Sequence, residues 1–123
     1  MSFIKNRIKP FGHALDGIVS ASREEWPFKT HWISTIAAII AGFYFGVSRI
    51  EWCIIIMCCG IVIAAELINT AIERLCDAVI PAQNPNIKFV KDASAGAVLV
   101  ASAAAGITGI MIFYPHVIKM FGF

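Results

Sequence analysis

Residues 52–77 have the sequence WCIIIMCCGIVIAAELINTAIERLCD, and this stretch decides the fold. Its first part, residues 52–65, contains no charged side chain, and Glu66 follows directly. At about 1.5 Å per helical residue, that uncharged part rises roughly 21 Å, whereas the hydrocarbon core of a bilayer is about 30 Å thick. The stretch therefore predicts a transmembrane helix that carries Glu66 into the hydrocarbon, near one surface.

The polar residues of this stretch share one helix face. With Glu66 at zero and about 100° per residue, Glu73 falls near −20°, Asp77 near +20°, Thr70 near +40° and Asn69 near −60°. We call these five residues the polar stripe; at 1.5 Å per residue it is roughly 16 Å long. Arg74 lies at its edge.

A carboxylate inside a bilayer costs at least about 2.5 kcal/mol at mid-depth, and such residues are commonly functional. One interpretation is a polar network or salt bridge between helices. The other is that a metal cation, a proton or a substrate hydroxyl offsets the cost. The other two apolar segments offer few cations at that depth, which favours a bound group.

The whole chain has the composition of a membrane protein. Of its 123 residues, 59% are hydrophobic and 15% charged, with a mean hydropathy of +0.77; soluble domains carry about 25% charge. We expect an all-α membrane protein with an N-terminal amphipathic surface helix and three transmembrane helices. The chain would form a single membrane domain over residues 1–123, divided into an interfacial helix at 3–27, span one at 29–48, span two at 52–77, a cytoplasmic loop at 78–91 and span three at 92–115.

Local signals refine this plan. Pro10 predicts that the well-formed part of the surface helix begins there, and Asp92 is placed to cap span three. Small residues recur every four positions at 93, 97, 101, 105 and 109, which favours close helix packing, although a lipid-facing alanine run is the alternative.

The charge distribution predicts the orientation. Lys and Arg are concentrated before span one and in the 80s loop, and cytoplasmic segments carry such an excess. The N-terminus is therefore expected in the cytoplasm and the turn at 48–51 outside. The net charge of +2 gives no indication of nucleic acid binding.

Familiar phosphate-binding motifs are missing. No glycine is followed by lysine, so there is no GxxxxGK[ST] loop, and neither HRD nor DFG occurs. Phosphoryl transfer chiefly needs positioning and charge neutralisation, and Mg²⁺ binds one or two carboxylates together with substrate phosphates. The polar stripe with a nearby lysine meets these needs.

Four segments together resemble a known family. Residues 66–77 (ELINTAIERLCD) resemble the signature helix of the small prokaryotic diacylglycerol kinases and undecaprenol kinases. Residues 91–99 (KDASAGAVL), 11–18 (FGHALDGI) and 25–31 (EWPFKTH) are similar to their other conserved stretches. The resemblance covers roughly residues 3–115. The family often has Glu-Tyr-His where this chain has Ala82-Gln83-Asn84.

The resemblance implies a homotrimer in the bacterial inner membrane, with active sites shared between subunits on the cytoplasmic face. It implies Glu66 as the catalytic carboxylate and Glu25 and Glu73 as Mg²⁺ ligands. The implied ATP-binding residues are His13, Glu25, Asn69, Glu73, Asp77, Gln83, Asn84, Lys91 and Asp92. The implied lipid-substrate residues are Ala14, Phe28, Lys29, His31, Glu66 and Gly96.

The expected function is ATP- and Mg²⁺-dependent phosphorylation of a membrane lipid alcohol, either diacylglycerol or undecaprenol. Gly96 and its neighbours resemble the undecaprenol kinase branch more closely. The alternative is a small oligomeric protein that conducts protons or cations. The polar stripe occupies only the inner half of span two, which argues against a pore.

Overall fold

The computed structural model describes residues 1–79 and 84–123, and it is all-helical in those residues. Its four helices are α1 (Ser2–Glu24), α2 (Trp26–Phe45), α3 (Arg49–Val79) and α4 (Pro85–Met120). The predicted all-α fold is confirmed. The most extensive packing is between α3 and α4, with α2 against α3 next, so α3 is the central helix. Of the polar stripe, Glu66, Asn69 and Thr70 are buried.

The amphipathic helix α1 begins earlier than predicted, at Ser2, and continues through Pro10. A proline inside a helix removes one hydrogen bond, to the carbonyl four residues earlier. Here that carbonyl belongs to Asn6, close to the helix N-terminus, and the helix is not interrupted. The helix ends at Glu24, and the backbone of the next residue, Glu25, is extended (φ −107°, ψ 116°). Helix α2 then begins with Trp26-Pro27.

A short hydrogen-bonded chain joins α1 to α2. The Trp32 indole Nε1 donates to Ser22 Oγ at 2.8 Å, and that hydroxyl donates to the Ile18 carbonyl at 2.7 Å. One turn earlier, the Phe28 ring is fully buried and lies 6.2 Å from the Trp32 ring. These contacts fix the first turns of α2 against α1.

The turn between α2 and α3 has well-defined caps. Gly46 adopts the left-handed conformation (φ 61°, ψ 50°) that often ends a helix. Ser48 and Glu51 then form a capping box: the Glu51 amide donates to Ser48 Oγ at 3.2 Å, and the Ser48 amide donates to Glu51 Oε1 at 3.0 Å. The predicted turn at 48–51 therefore contains the N-terminal cap of α3.

The third predicted span begins earlier than expected. Helix α4 starts at Pro85 with Asn84 as its N-cap, and the Asn84 side chain accepts from the Asn86 amide at 2.9 Å. The prediction that Asp92 caps this helix is wrong, because Asp92 lies two turns inside and pairs with Lys88 at 2.5 Å. Residues 85–91, predicted as loop, are helical.

Most large apolar side chains in the described residues are exposed. The buried cluster is small and contains Val47, Ile55 and Ile112, whereas many side chains on all four helices are more than half exposed. Helices α3 and α4 are long and apolar enough to cross a membrane. Only 11% of the apolar stretch of α4 is buried, so α4 is not the core helix of a soluble domain; its surface needs lipid or another subunit.

The small-residue ridge of α4 divides into two halves. Ala105 and Gly109 line a small cavity of about 50 Å³ with Ala38 and Ile55, so this half packs toward α2 and α3. Ala93 and Ala97 are exposed. Close helix packing therefore holds for one half, and the other half is exposed in the part of the chain that the structure describes.

Candidate functional site

Glu66 lies inside the helix bundle and is 3% exposed. Its Oε2 is 3.4 Å from Nε2 of His31, which projects from the second turn of α2. Among the described residues, no lysine or arginine lies within ion-pair distance of Glu66. The carboxylate therefore faces the protein interior. His31 and Glu66 were both expected among the lipid-substrate residues, but their contact with each other was not predicted.

Asn69 connects α4 to the acidic end of the stripe. It is 7% exposed; its Oδ1 accepts a hydrogen bond from Ser94 Oγ on α4, and its Nδ2 donates to Glu73 Oε1 at 3.3 Å. An amide can donate on one side and accept on the other. Ser94 thereby orients Asn69 so that its amino group points at the Glu73 carboxylate.

Arg74 ties α3 to the end of α1. Its guanidinium contacts Glu24 Oε2 at 2.5 Å and Glu25 Oε1 at 2.9 Å. Since Glu73 is the chain neighbour of Arg74, this fork brings Glu25 to the part of α3 that carries Glu73. Of the two predicted metal ligands, Glu25 lies at the junction of α1 and α2, and Glu73 lies on α3.

At the end of α3 that leads to α4, Lys91 Nζ lies 2.6 Å from Asp77 Oδ1. Both residues were predicted to bind the nucleotide, and the structure brings them together. Asp92, also predicted there, is exposed and bound to Lys88. Asn84 is occupied by its capping bond, and Gln83 lies outside the described residues.

Ala14 lines a groove of about 440 Å³ between α1 and α3. Gly17 and Ala21 of α1 form one wall with it, and Thr70 and Arg74 of α3 form part of the other. The groove is open and mostly apolar, and its polar residues are Ser20 of α1 and Thr70 and Arg74 of α3. A hydrocarbon chain fits such a surface.

The remaining predicted residues have varied surroundings. His13 lies in a surface concavity formed by α1 residues alone, so the structure does not join it to the polar stripe. Lys29 is exposed, 6.0 Å from the Trp26 ring. Phe28 is fully buried, and a lipid could reach it only after neighbouring side chains move. Gly96 faces open space, because a Cβ there would meet nothing within 4 Å.

The donor set at Glu25 and Glu73 suits Mg²⁺ in a particular way. Within the described parts of the chain there is no cluster of three or more His, Cys, Asp or Glu that could hold a metal. Mg²⁺, however, is commonly bound by one or two carboxylates, with substrate phosphates and water completing its shell. Two glutamates therefore fit a metal that arrives with a nucleotide, and not a site closed by protein alone.

Three residues of this region were not predicted. Ser94 sits in an alanine-rich helix, where its hydroxyl gave no signal distinct from the small-residue ridge. Arg74 lay at the edge of the stripe, but its partners depend on how α1 meets α3. Glu24 was not distinguished as a contact of that arginine.

Comparison with known proteins shows which family this chain resembles. The sequence model of the family described as "Prokaryotic diacylglycerol kinase" matches residues 12–113. An undecaprenol kinase of Bacillus subtilis is 41% identical over 87% of this chain and 87% of its own length. Diacylglycerol kinases of Synechocystis sp. (28% identical; 94% of this chain, 66% of that protein) and Pseudomonas aeruginosa (30% identical; 85% of each chain) are also similar.

The matched range includes Glu66 with its histidine neighbour, the Asn69 connection and the Lys91–Asp77 pair. The resemblance identified from the four sequence segments is confirmed. Because the family match covers more than half of the chain, the chain belongs to the prokaryotic diacylglycerol kinase family, a family of lipid kinases.

Proposed function

We propose that this protein is an ATP- and Mg²⁺-dependent kinase that phosphorylates the hydroxyl group of a membrane lipid alcohol. The burial of Glu66 carries the proposal. A carboxylate that is only 3% exposed, on a helix apolar enough to cross a membrane, is costly to bury, and such residues are commonly functional. The groove lined by Ala14 and Thr70 gives a lipid alcohol a route to the same helix.

Glu66 acts as the general base. The lipid hydroxyl oxygen forms a bond to the γ-phosphorus of ATP, the bond from that phosphorus to the β,γ-bridging oxygen breaks, and ADP leaves. The hydroxyl proton passes to the Glu66 carboxylate. A base must lie within hydrogen-bond reach of the proton that it takes, and an interfacial helix such as α1 can hold a lipid headgroup at that depth.

The nucleotide lies toward the α3–α4 connection. Lys91 supplies positive charge for the phosphates, and Asp77 holds the lysine in place until the nucleotide arrives. Asn69, Asp92, Asn84, His13 and Gln83 are further nucleotide contacts in this proposal. Glu25 and Glu73 would hold Mg²⁺, which would supply positive charge to neutralise the phosphates.

The residues proposed to contact the lipid are Ala14, Phe28, Lys29, His31, Glu66 and Gly96. Undecaprenol is the favoured substrate, with diacylglycerol as the alternative. The amino-acid sequence around Gly96 supports this choice, and so does the 41% identical relative, which is an undecaprenol kinase.

Three membrane spans and a homotrimer complete the proposal. Helix α2 is 20 residues long, enough to cross a bilayer, although Lys29 and His31 lower its apolar character. The extensive uncovered apolar surface and the exposure of Asp77 support a site completed by neighbouring subunits. The N-terminus then lies in the cytoplasm of a bacterium, and the chain is in its inner membrane.

Purified protein in mixed micelles, incubated with γ-labelled ATP and Mg²⁺, tests the proposal. Undecaprenol, diacylglycerol and no lipid are the three arms, and label transfer to lipid is measured. Transfer to either alcohol that disappears with EDTA supports the proposal. If neither alcohol is labelled and the same protein moves protons or cations across vesicles, the conducting alternative holds.

A further inference from the structure

Two histidine–glutamate pairs lie at different places in the molecule. His31 of α2 faces Glu66 of α3, and His116 of α4 faces Glu51 at the start of α3. The second pair has an evident structural use, because Glu51 also caps α3 through Ser48. The first pair caps nothing, and it is the more deeply buried: the side chains of His31 and Glu66 are 18% and 5% exposed, against 26% and 25% for the other pair.

The position of His31 is fixed by its surroundings. Its backbone carbonyl accepts from Thr35 Oγ1 at 2.9 Å, and the next residue, Trp32, is bound to Ser22 of α1. Phe28, one turn before, is fully buried. The imidazole is therefore held on a helix segment with little freedom, which is what a group that orients another side chain requires.

The two oxygens of Glu66 have different roles in this geometry. Oε2 is the one near His31 Nε2, and a neutral or a protonated imidazole can donate from that nitrogen. Two further groups that act on Glu66 come from its own helix: Asn69, which is bound to Ser94 of α4, and Glu73. Since Lys and Arg are absent from its described surroundings, His31 is the one basic side chain positioned to fix the carboxylate.

We infer that His31 is a positioning residue for Glu66. Its Nε2–H donates to Oε2, holds the carboxylate in one rotamer and leaves Oε1 free for the lipid hydroxyl. The 3.4 Å separation shortens when substrate is bound, since catalytic hydrogen bonds are often long without it. This inference rests on the proposed function of Glu66, and it assigns His31 a role through Glu66 instead of through contact with the lipid tail.

Three variants test it by activity. His31→Leu removes the donor, and we expect kcat for the lipid alcohol to fall about 10- to 100-fold, the range for loss of a hydrogen bond to a charged group, with KM for ATP within twofold. His31→Gln places an amide donor at a similar reach and should recover at least one third of kcat. His116→Leu removes the matched pair and should leave kcat within twofold.

A second arm does not depend on kinase activity. Dicyclohexylcarbodiimide modifies protonated carboxyl groups in apolar surroundings, and mass spectrometry locates the product. Loss of the donor leaves Oε2 free to attack the carbodiimide, so His31→Leu should label Glu66 several times faster than the wild type. His116→Leu should match the wild type, and Glu66→Gln should lose the label.

The outcomes separate two failures. Equal kcat loss in His31→Leu and His31→Gln, or unchanged kcat and unchanged labelling in His31→Leu, would overturn the positioning role. A wild-type protein that phosphorylates no lipid while His31→Leu still changes Glu66 labelling would overturn the proposed function and leave the His31–Glu66 pair standing.

Discussion

Lys91 Nζ lies 2.6 Å from Asp77 Oδ1, and this ion pair links the end of α3 to the beginning of α4. The two side chains are partly open to solvent, at 32% and 64% exposure, and exposed pairs contribute little to stability. A pair in such a place is better suited to function than to holding the fold. In the proposed site it keeps a cation ready for the nucleotide phosphates.

Lys91→Met should therefore weaken nucleotide use much more than stability. Loss of one charged hydrogen bond to phosphate corresponds to about a 10- to 100-fold rise in KM for ATP. Steady-state kinetics at saturating lipid measures the change, and a thermal melt should shift little. Lys119→Met is the matched control, because Lys119 lies in the last turn of the same helix, at the end away from the proposed site. A comparable rise in the control would argue against a specific role for Lys91.

Glu24 and Glu25 offer a sharp comparison for the metal. Both contact the guanidinium of Arg74, but only Glu25 is proposed as a ligand. Glu25→Gln should raise the Mg²⁺ concentration for half-maximal activity by about tenfold, because Mg²⁺ prefers anionic oxygen. Glu24→Gln should leave it within twofold. Equal shifts in the two variants would show that both glutamates act through Arg74.

Ser94 should act on the metal end of the stripe through Asn69. Ser94→Ala removes the donor that orients the Asn69 amide, which frees the amide to turn away from Glu73. We expect the Mg²⁺ requirement to rise threefold or more in a titration of activity against Mg²⁺. Ser102→Ala is the control, since Ser102 Oγ is buried on the same helix without a hydrogen-bond partner among the described residues; it should have no effect on that requirement.

Gly42 tests the packing of α2 against α3. A Cβ at this position would lie 2.6 Å from Cη2 of the rigid Trp52 indole. Gly42→Ala should therefore destabilise the protein by about 1–3 kcal/mol, the usual cost of overpacking. Gly60→Ala meets open space and should be neutral or slightly stabilising, because alanine favours helix. Thermal unfolding in detergent distinguishes them; equal melting temperatures would contradict the described packing.

The sequence predicted the depth of Glu66 and the helix face that it shares with Asn69 and Thr70 for a clear physical reason. The uncharged run at 52–65 is too short to cross a bilayer before Glu66, and the 100° helical repeat puts Asn69 and Thr70 on the same side as Glu66. All three are buried. Period and length are properties of one helix, so a single sequence is enough to derive them.

Contacts between helices were not predictable in the same way. The pairing of His31 with Glu66 depends on the vertical offset of α2 against α3, and that of Arg74 with Glu24 depends on where α1 ends. Neither offset can be predicted from the sequence pattern of a single helix. The predicted start of α4 was wrong for a different reason. Asn84-Pro85 is a strong cap and first-turn signal. However, the two prolines and two asparagines at 81, 84, 85 and 86 are also typical of an irregular loop, and residues 78–91 were predicted as one.

Glu66→Gln is the most direct test of the account. The variant keeps the size of the side chain and its contact with His31, but an amide cannot accept the hydroxyl proton. Label transfer from ATP to undecaprenol or diacylglycerol should fall by at least about 100-fold, while the detergent-solubilised protein keeps its oligomeric size and melting temperature. Transfer within a few-fold of the wild type by a correctly assembled Glu66→Gln protein would contradict the central claim that this buried carboxylate is the base.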